Sequence, residues 1–251
     1  MIGCIALYDF DVTQFKLKEW VEYGEEWMTT LGYPPNTMGI PPSTKYMLYK
    51  NGKKKLEKAE YKKEDVTFYG GGEPGTGYPW KLAAYFAEDD KTTYLCFDEE
   101  TMTFSYDFLE KLLKDLSRFC LLHYGIGFLR EYKYGPDSYV LGVSEGLKMA
   151  YQNPEHGEES ERIHNWLKQY RYASGTYKTG DLRDVYPFNV LCQVHLDREV
   201  NGQRFEEWVT ASPERGQLKK VTDTLWTWWV EADHIPAVRE ALAPSGMILC
   251  L

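Results

Sequence analysis

The sequence lacks the features that most directly assign a protein to a functional class. Its five cysteines are scattered and form no CxxC pair, so they indicate neither a disulfide framework nor a zinc site. No apolar run approaches the roughly 20 residues of a membrane helix, and the short apolar N-terminal run is not preceded by the basic residues of a signal peptide. These absences predict a soluble, cytoplasmic protein with reduced thiols.

Positive charge is also scarce, since 29 Lys and Arg against 38 Asp and Glu leave the 251 residues with a formal net charge of −9. Phosphate backbones are bound by electropositive surfaces, so nucleic acid is excluded as a partner and a basic protein is favoured. The segment from Lys45 to Lys63 departs from this pattern with eight lysines. Because Glu57 and Glu60 offset part of that charge, we interpret it as a solvated hairpin or short helix; a patch for an anion or acidic partner is the alternative.

No phosphate-binding or metal-binding motif is complete. Residues 70–77 are glycine-rich, but they lack the GK[ST] ending of a phosphate loop and precede a predicted strand rather than a helix. None of the five histidines is spaced two or four residues from another, as metal ligands on one strand or helix would be. The sequence therefore predicts no cofactor and no metal.

Aromatic residues are abundant. They make up 16% of the chain, with 20 Tyr and 8 Trp, and hydrophobic residues make up 43%. This composition is typical of a globular chain with enough apolar area for a large core. We therefore predict one domain over residues 1–251, with a division into 1–150 and 151–251 as the alternative.

Strand, helix and strand patterns recur along the chain. The first spans Ile2 to Pro42, a second spans Thr92 to Val143, and a shorter third spans Leu225 to Leu251. At the centre, Leu121 to Gly146 indicates two strands joined by a turn at Tyr134–Asp137. This order predicts the α+β class, with helices on one face of a largely antiparallel sheet, in two copies of a ferredoxin-like arrangement.

Two pairs of polar residues are candidates for chemistry. Arg183 and Asp184 lie among apolar residues, where an arginine or aspartate is rarely left unpaired. We favour a structural role, in which Asp184 caps a helix that begins near Pro187, over a role in binding a substrate. Cys192 and His195 have the C-x-x-H spacing of a thiol with a nearby base. Their apolar neighbours favour packing there too, and the alternation of a strand would place them on opposite faces.

The candidate binding residues are aromatic or acidic. Around Trp228, the period of a predicted strand places Trp226 on the same face and Trp229 on the opposite one, where it is a candidate anchor for a partner. A predicted exposed helix over residues 158–170 adds three acidic candidates, Glu158, Glu159 and Glu161. Together they predict an acidic and aromatic docking surface.

Three short stretches carry a resemblance. Tyr124–Phe128, Gly135–Pro136 with Tyr139, and Asp181–Asn189 resemble segments of bacterial and prophage accessory proteins. In style the chain is similar to immunity proteins that neutralise secreted toxins. The resemblance implies an acidic, aromatic-rich α+β protein that acts by binding and has no active site.

These observations favour a non-enzymatic protein whose acidic surface binds a basic toxin or nuclease. The alternative is a hydrolase or transferase of the α+β class, with a site at Arg183, Asp184 and His195 that Cys192 joins. A third hypothesis is a structural component that assembles with itself. A deep hollow open to solvent and lined by these four residues would decide for the enzyme.

Overall fold

The computed structural model describes residues 1–40, 45–62, 65–76, 79–88, 91–141, 162–163, 166 and 176–250. Its strands are β1 (Ile2–Tyr8), β2 (Pro35–Gly39), β3 (Met47–Leu48), β4 (Val66–Gly70), β5 (Leu82–Ala87), β6 (Thr92–Asp98), β7 (Tyr124–Arg130), β8 (Phe188–Cys192), β9 (Glu199–Val200), β10 (Gln203–Arg204), β11 (Gln217–Lys220) and β12 (Leu225–Trp229). Its α-helices are α1 (Leu17–Thr30), α2 (Tyr49–Lys58), α3 (Tyr106–Leu116), α4 (Pro136–Leu141), α5 (Gln193–Leu196), α6 (Phe205–Thr210) and α7 (Ile235–Leu242).

Ten of these strands form one sheet, in the order β11-β12-β8-β7-β1-β6-β5-β4-β2-β3, and β9 pairs with β10 apart from it. Every neighbouring pair in the large sheet is antiparallel, which confirms the α+β class. β1 lies between β6 and β7, the two strands that α3 connects, and β6 lies between β1 and β5. Two β-α-β units therefore interleave as in a ferredoxin-like fold, and the segment from β2 to β4 is an insertion between α1 and β5.

The C-terminal half repeats part of this arrangement. β12 lies between β8 and β11, and α5 and α6 lie on the connection between those two outer strands. In a complete ferredoxin-like unit, a fourth strand would pair with the free edge of β8. Here β7 takes that position. The strand predicted from Met247 to Leu251 is wrong, because its described residues form a single parallel bridge, between Ile248 and Leu182.

Helices cover both faces of the sheet, so the expectation of one covered face is wrong. Along β1, Cys4, Ala6 and Tyr8 point to one face, whereas Ile5 and Leu7 point to the other. The Ile5 face packs against α1, α2 and α3, and the Tyr8 face packs against α4, α6 and α7. All seven residues of β1 are buried, which removes the alternation of polar and apolar residues by which a sequence shows a solvent-facing side.

The central segment is half strand and half helix. Tyr124–Arg130 is a strand as predicted, but the second strand of the predicted hairpin is wrong because Pro136–Leu141 is a helix. Gly135 adopts a left-handed φ of 54°, and Pro136 then takes the first helical position. Val140 becomes fully buried, so packing against the sheet overrides the strand preference of the tyrosine and valine in this helix.

The helices of the first half largely match the sequence pattern. α1 buries Trp20 and Trp27, and α3 buries Leu109 and Leu116, on the faces that the apolar spacing indicated. The lysine-rich segment forms α2, the solvated helix that was one of its two expected forms, with Leu56 inward. No helix in the described parts of the chain is long and apolar enough to cross a membrane.

Candidate functional site

The guanidinium of Arg183 fastens α4 to the sheet. Its Nη1 donates to the Tyr8 hydroxyl at 2.8 Å and to the carbonyl of Val140 at 3.2 Å. Its Nη2 donates to the carbonyl of Tyr139 at 2.7 Å, and the group lies 3.9 Å from the ring centroid of Trp166. The side chain is 0% exposed. These contacts join β1, α4 and the Trp166 indole, and they leave no solvent-facing side for a substrate.

Asp184 forms an ion pair rather than a helix cap. Its Oδ1 lies 2.9 Å from Nε of Arg239 in α7 and accepts a hydrogen bond from the backbone of Val185 at 2.8 Å. The helix predicted near Pro187 is wrong, because Phe188–Cys192 is a strand. Burial raises the pKa of Asp184, and Arg239 offsets part of that rise. The side chain thus links the segment before β8 to α7.

Cys192 and His195 form a capping box at the N-terminus of α5. β8 ends at Cys192, so strand alternation does not separate the two side chains and the expectation of opposite faces is wrong. The Cys192 sulfur lies 3.3 Å from Nδ1 of His195, which accepts the backbone N–H of Cys192, also at 3.3 Å. The histidine therefore satisfies a backbone donor that the start of a helix leaves open.

The electrostatics of this pair oppose nucleophilic catalysis. Burial lowers the pKa of His195 to about 4 and raises the pKa of Cys192 above its ordinary value. At neutral pH the imidazole is uncharged and the thiol is protonated, whereas a catalytic cysteine acts as its thiolate. The other C-x-x-H pair, Cys120 with His123, shows the same effect, since burial raises the pKa of the Cys120 thiol to about 12.

Tyr124 lies between the two candidate groups. Its hydroxyl accepts a hydrogen bond from the backbone of Arg183 at 3.0 Å, and its ring stacks on His195 with centroids 5.6 Å apart. His195, like Arg183, is 0% exposed. Arg183 and His195 therefore both contact Tyr124, so the structure brings these candidate residues near one another. Both lie in the core, without access to solvent. Across the described ranges, no three His, Cys, Asp or Glu side chains are grouped to hold a metal ion.

Asp9 is a buried acid that the sequence analysis did not single out. It follows β1, is 2% exposed and has a left-handed φ of 58°. Its Oδ2 has no hydrogen-bond partner within the described part of the chain. Burial raises the pKa of the carboxyl, against the opposing effects of Lys178, Lys91 and His123. Backbone strain and a perturbed acid often mark functional sites, but nothing in the sequence distinguishes this aspartate from others that follow a strand.

We expect Asp9→Asn to stabilise the protein by about 1 kcal/mol at pH 7, because the amide removes a buried charge and asparagine tolerates a positive φ. The raised pKa of Asp9 means that the folded protein binds this proton more tightly than the unfolded chain, whose value is near 3.8. The charge therefore destabilises the fold increasingly as pH rises, and the gain should shrink as pH falls toward 4. Urea unfolding of both proteins across this range measures the gain, and a less stable variant at pH 7 would contradict it.

An open groove lies between α1 and α3. Its volume is about 290 Å³, and a hydrogen bond of 3.1 Å from the Tyr23 hydroxyl to Asp115 joins its two walls. The lining residues are Tyr23, Glu26, Trp27, Thr30, Phe108, Lys111, Leu112, Asp115 and Arg118. Trp27 and Leu112 are buried, whereas Glu26 and Lys111 are exposed. An apolar floor with a charged rim is typical of a recognition surface.

Trp229 lies half-buried among aromatic residues. Its ring centroid is 5.8 Å from that of Tyr106, and its Nε1 donates to Glu231 at 3.0 Å. It packs on the face of the sheet that is opposite to buried Trp228, which confirms the predicted alternation. Its role as an anchor for a partner stays a prediction. The acidic candidates Glu158, Glu159 and Glu161 lie outside the described residues.

Comparison with known proteins relates this chain to others through its fold. No family model and no curated protein sequence matches the chain. Among solved structures, the chain is similar to the Pseudomonas aeruginosa T6SS protein PA0821, with a TM-score of 0.54 and 12% sequence identity. The similarity covers 99% of this chain and 74% of that one. At this identity the likeness establishes a shared fold.

Proposed function

We propose that this chain is a bacterial immunity protein, associated with a type VI secretion system (T6SS), that binds and neutralises a basic toxin or nuclease. The observation that carries the proposal is the likeness to a T6SS protein over 99% of the chain. The formal charge of −9 supports it, because an acidic protein meets a basic partner faster. The hydrogen bonds of Arg183 and His195 support it too, since both side chains are used inside the core. For a nuclease, neutralisation would take place in the cytoplasm.

The groove between α1 and α3 is the docking surface that we propose for the toxin. The rings of Tyr23 and Trp27 provide the kind of rigid aromatic area that dominates binding energy. Glu26 is the exposed acidic residue that α1 contributes to the lining, whereas Lys111 on α3 and Arg118 just after it are exposed and basic. Charges of both signs along one groove favour a single orientation of a partner with the complementary pattern.

Competition between strains tests the proposed function. Deleting the gene for this chain from its native host should leave the mutant unprotected against the T6SS of its own parent. We expect the parent to outcompete the mutant on a surface, and this disadvantage should disappear when the parent's T6SS is inactivated or the gene is restored. Equal survival of the mutant beside an active and an inactive parent would contradict the proposal.

A charge reversal tests the docking surface. Glu26→Lys should slow association with the toxin several-fold at low salt and have little effect at high salt, because salt screens exposed charges over about 10 Å. Glu240→Lys is the matched control, since it places the same change on α7, which packs on the opposite face of the sheet. Stopped-flow association rates at several ionic strengths provide the measurement. A wild-type rate that is independent of ionic strength would rule out electrostatic steering.

A further inference from the structure

Two cysteine thiols face each other across neighbouring strands in the core. Cys4 of β1 and Cys96 of β6 are directly opposite each other in the antiparallel register. Their sulfur atoms lie 2.8 Å apart, and both side chains are 0% exposed. This contact joins positions 92 residues apart, which the sequence shows only as two of five scattered cysteines.

Opposite positions on antiparallel strands have the spacing that a disulfide requires. Their Cα atoms are about 4.5 or 5.5 Å apart, depending on the hydrogen-bonding of the pair, and disulfides are found at about 4.4 to 6.8 Å. The neighbours on either side are Phe128 of β7 beside Cys4 and Ala83 of β5 beside Cys96. Hydrophobic residues pack around the pair on this face of the sheet, so each cysteine has the other as its partner for a disulfide.

We propose that Cys4 and Cys96 form an intrachain disulfide when the chain folds in the presence of a small-molecule disulfide such as oxidised glutathione. A thiolate of one cysteine attacks the glutathione disulfide and releases one glutathione thiol. The thiolate of the second cysteine then attacks the mixed disulfide and releases the other. In total, two protein thiols and one oxidised glutathione become one protein disulfide and two reduced glutathione molecules. The proposal does not rest on the proposed function.

The bond is a product of folding rather than a switch in the folded protein. Both thiols are buried, and burial together with the neighbouring Cys4 raises the pKa of Cys96 well above its ordinary value. Exchange needs access for the attacking disulfide, and the folded protein offers none, because both side chains are 0% exposed. Once closed, the disulfide should also resist reduction until the sheet opens. In a reducing cytoplasm the same pair stays as two thiols.

Counting thiols in the full-length chain tests the proposal. The unfolded, reduced protein is refolded either with a mixture of oxidised and reduced glutathione or with dithiothreitol. Each sample is then unfolded in denaturant that contains excess iodoacetamide, which alkylates the free thiols. Intact mass should show three alkylated cysteines after the first treatment and five after the second. Digestion without reduction should recover one linked pair of peptides, containing Cys4 and Cys96. Five alkylated cysteines after both treatments, or a linked pair that involves Cys120, Cys192 or Cys250, would overturn the proposal.

Two variants and a melting curve sharpen the result. Cys120→Ser changes a cysteine outside the pair and should leave the linked peptides in place, whereas Cys96→Ser should abolish them. The closed loop spans most of the first hundred residues, so the oxidised protein should melt roughly 10 °C above the reduced one. Equal melting temperatures with the bond formed would show that it does not stabilise the fold, and would overturn its role as a link between β1 and β6.

Discussion

Arg183→Ala is expected to destabilise the protein by about 4 kcal/mol, more than any other single substitution that we predict. The guanidinium donates to the Tyr8 hydroxyl and to two carbonyl oxygens of α4. Alanine removes the Arg183 donor from all three oxygens, although the Val140 carbonyl keeps a hydrogen bond from the Tyr8 hydroxyl at 3.1 Å. It also leaves a void beneath the Trp166 ring. The loss therefore combines unsatisfied polar groups with lost packing.

Arg183→Met separates the two contributions. Methionine fills much of the same volume and donates no hydrogen bond, so we expect a loss smaller than that of alanine but still above about 1 kcal/mol. Arg204→Ala is the control, because this arginine is 47% exposed and its ion pair with Asp197 lies at the surface. It should cost less than about 1 kcal/mol.

Urea unfolding at pH 7 measures all three variants. The result also separates the hypotheses that the sequence left open. If Arg183 belonged to a substrate site, its removal would abolish activity and leave stability unchanged or improved, as is common for strained active sites. A stable Arg183→Ala protein would therefore contradict the structural role and make this residue a functional candidate again.

Between pH 7 and pH 5, His195 is expected to cost the protein roughly 2 kcal/mol of stability. Burial lowers the folded-state pKa of this histidine to about 4, whereas the unfolded chain titrates near 6.5. In the window between these values the unfolded state binds more protons, so stability is fully present above about 6.5 and is lost as pH falls toward 4. The cause is desolvation, since the ring is 0% exposed and packs on Tyr124.

His195→Gln isolates this effect. Glutamine at the third position of a helix can accept the backbone N–H of the capping residue, so the capping box with Cys192 is retained without a titrating group. We expect the variant to lose much less stability than the wild type over the same pH window. His195→Phe keeps a ring and removes the acceptor, so it should cost about 1 to 3 kcal/mol at pH 7. This difference from the wild type should shrink toward pH 5, because phenylalanine does not titrate and the wild type loses stability there. Parallel unfolding curves at several pH values provide the test, and identical pH dependence of wild type and His195→Gln would contradict it.

Local pattern predicted much of this fold. The N-terminal strand begins at Ile2, where the first strand, helix and strand pattern begins, and the helix over Tyr106–Leu116 lies within the second such pattern and buries Leu109, Leu112, Leu113 and Leu116. These signals are local because the period of a strand or helix is set by neighbouring residues. The prediction of a strand over Pro136–Leu141 was wrong because the conformation of this segment depends on distant residues. Arg183 binds the Val140 carbonyl and the Tyr8 hydroxyl, and both Arg183 and Tyr8 are far from this segment in sequence.

The candidate site was predicted less well than the fold. For Cys192 and His195 the sequence favoured packing over catalysis partly because a strand would separate the two side chains, and that argument is wrong, since the strand ends at Cys192 and the side chains meet. The groove between α1 and α3 was missed because each helix contributes only a few lining residues on one of its faces. Neither set of residues is unusual in the sequence by itself. Asp9 was missed because its left-handed φ and its Oδ2, which has no hydrogen-bond partner among the described residues, are properties of the folded chain.

By itself, the sequence determined that this is an acidic, aromatic-rich α+β protein, because composition and short-range periodicity depend only on nearby residues. Only the tertiary structure decided how its polar residues are used. Arg183 meets Tyr8 across 175 positions, and Cys4 meets Cys96 across 92. Contacts over such distances are set by the order of strands in the sheet, and no local pattern of residues encodes that order.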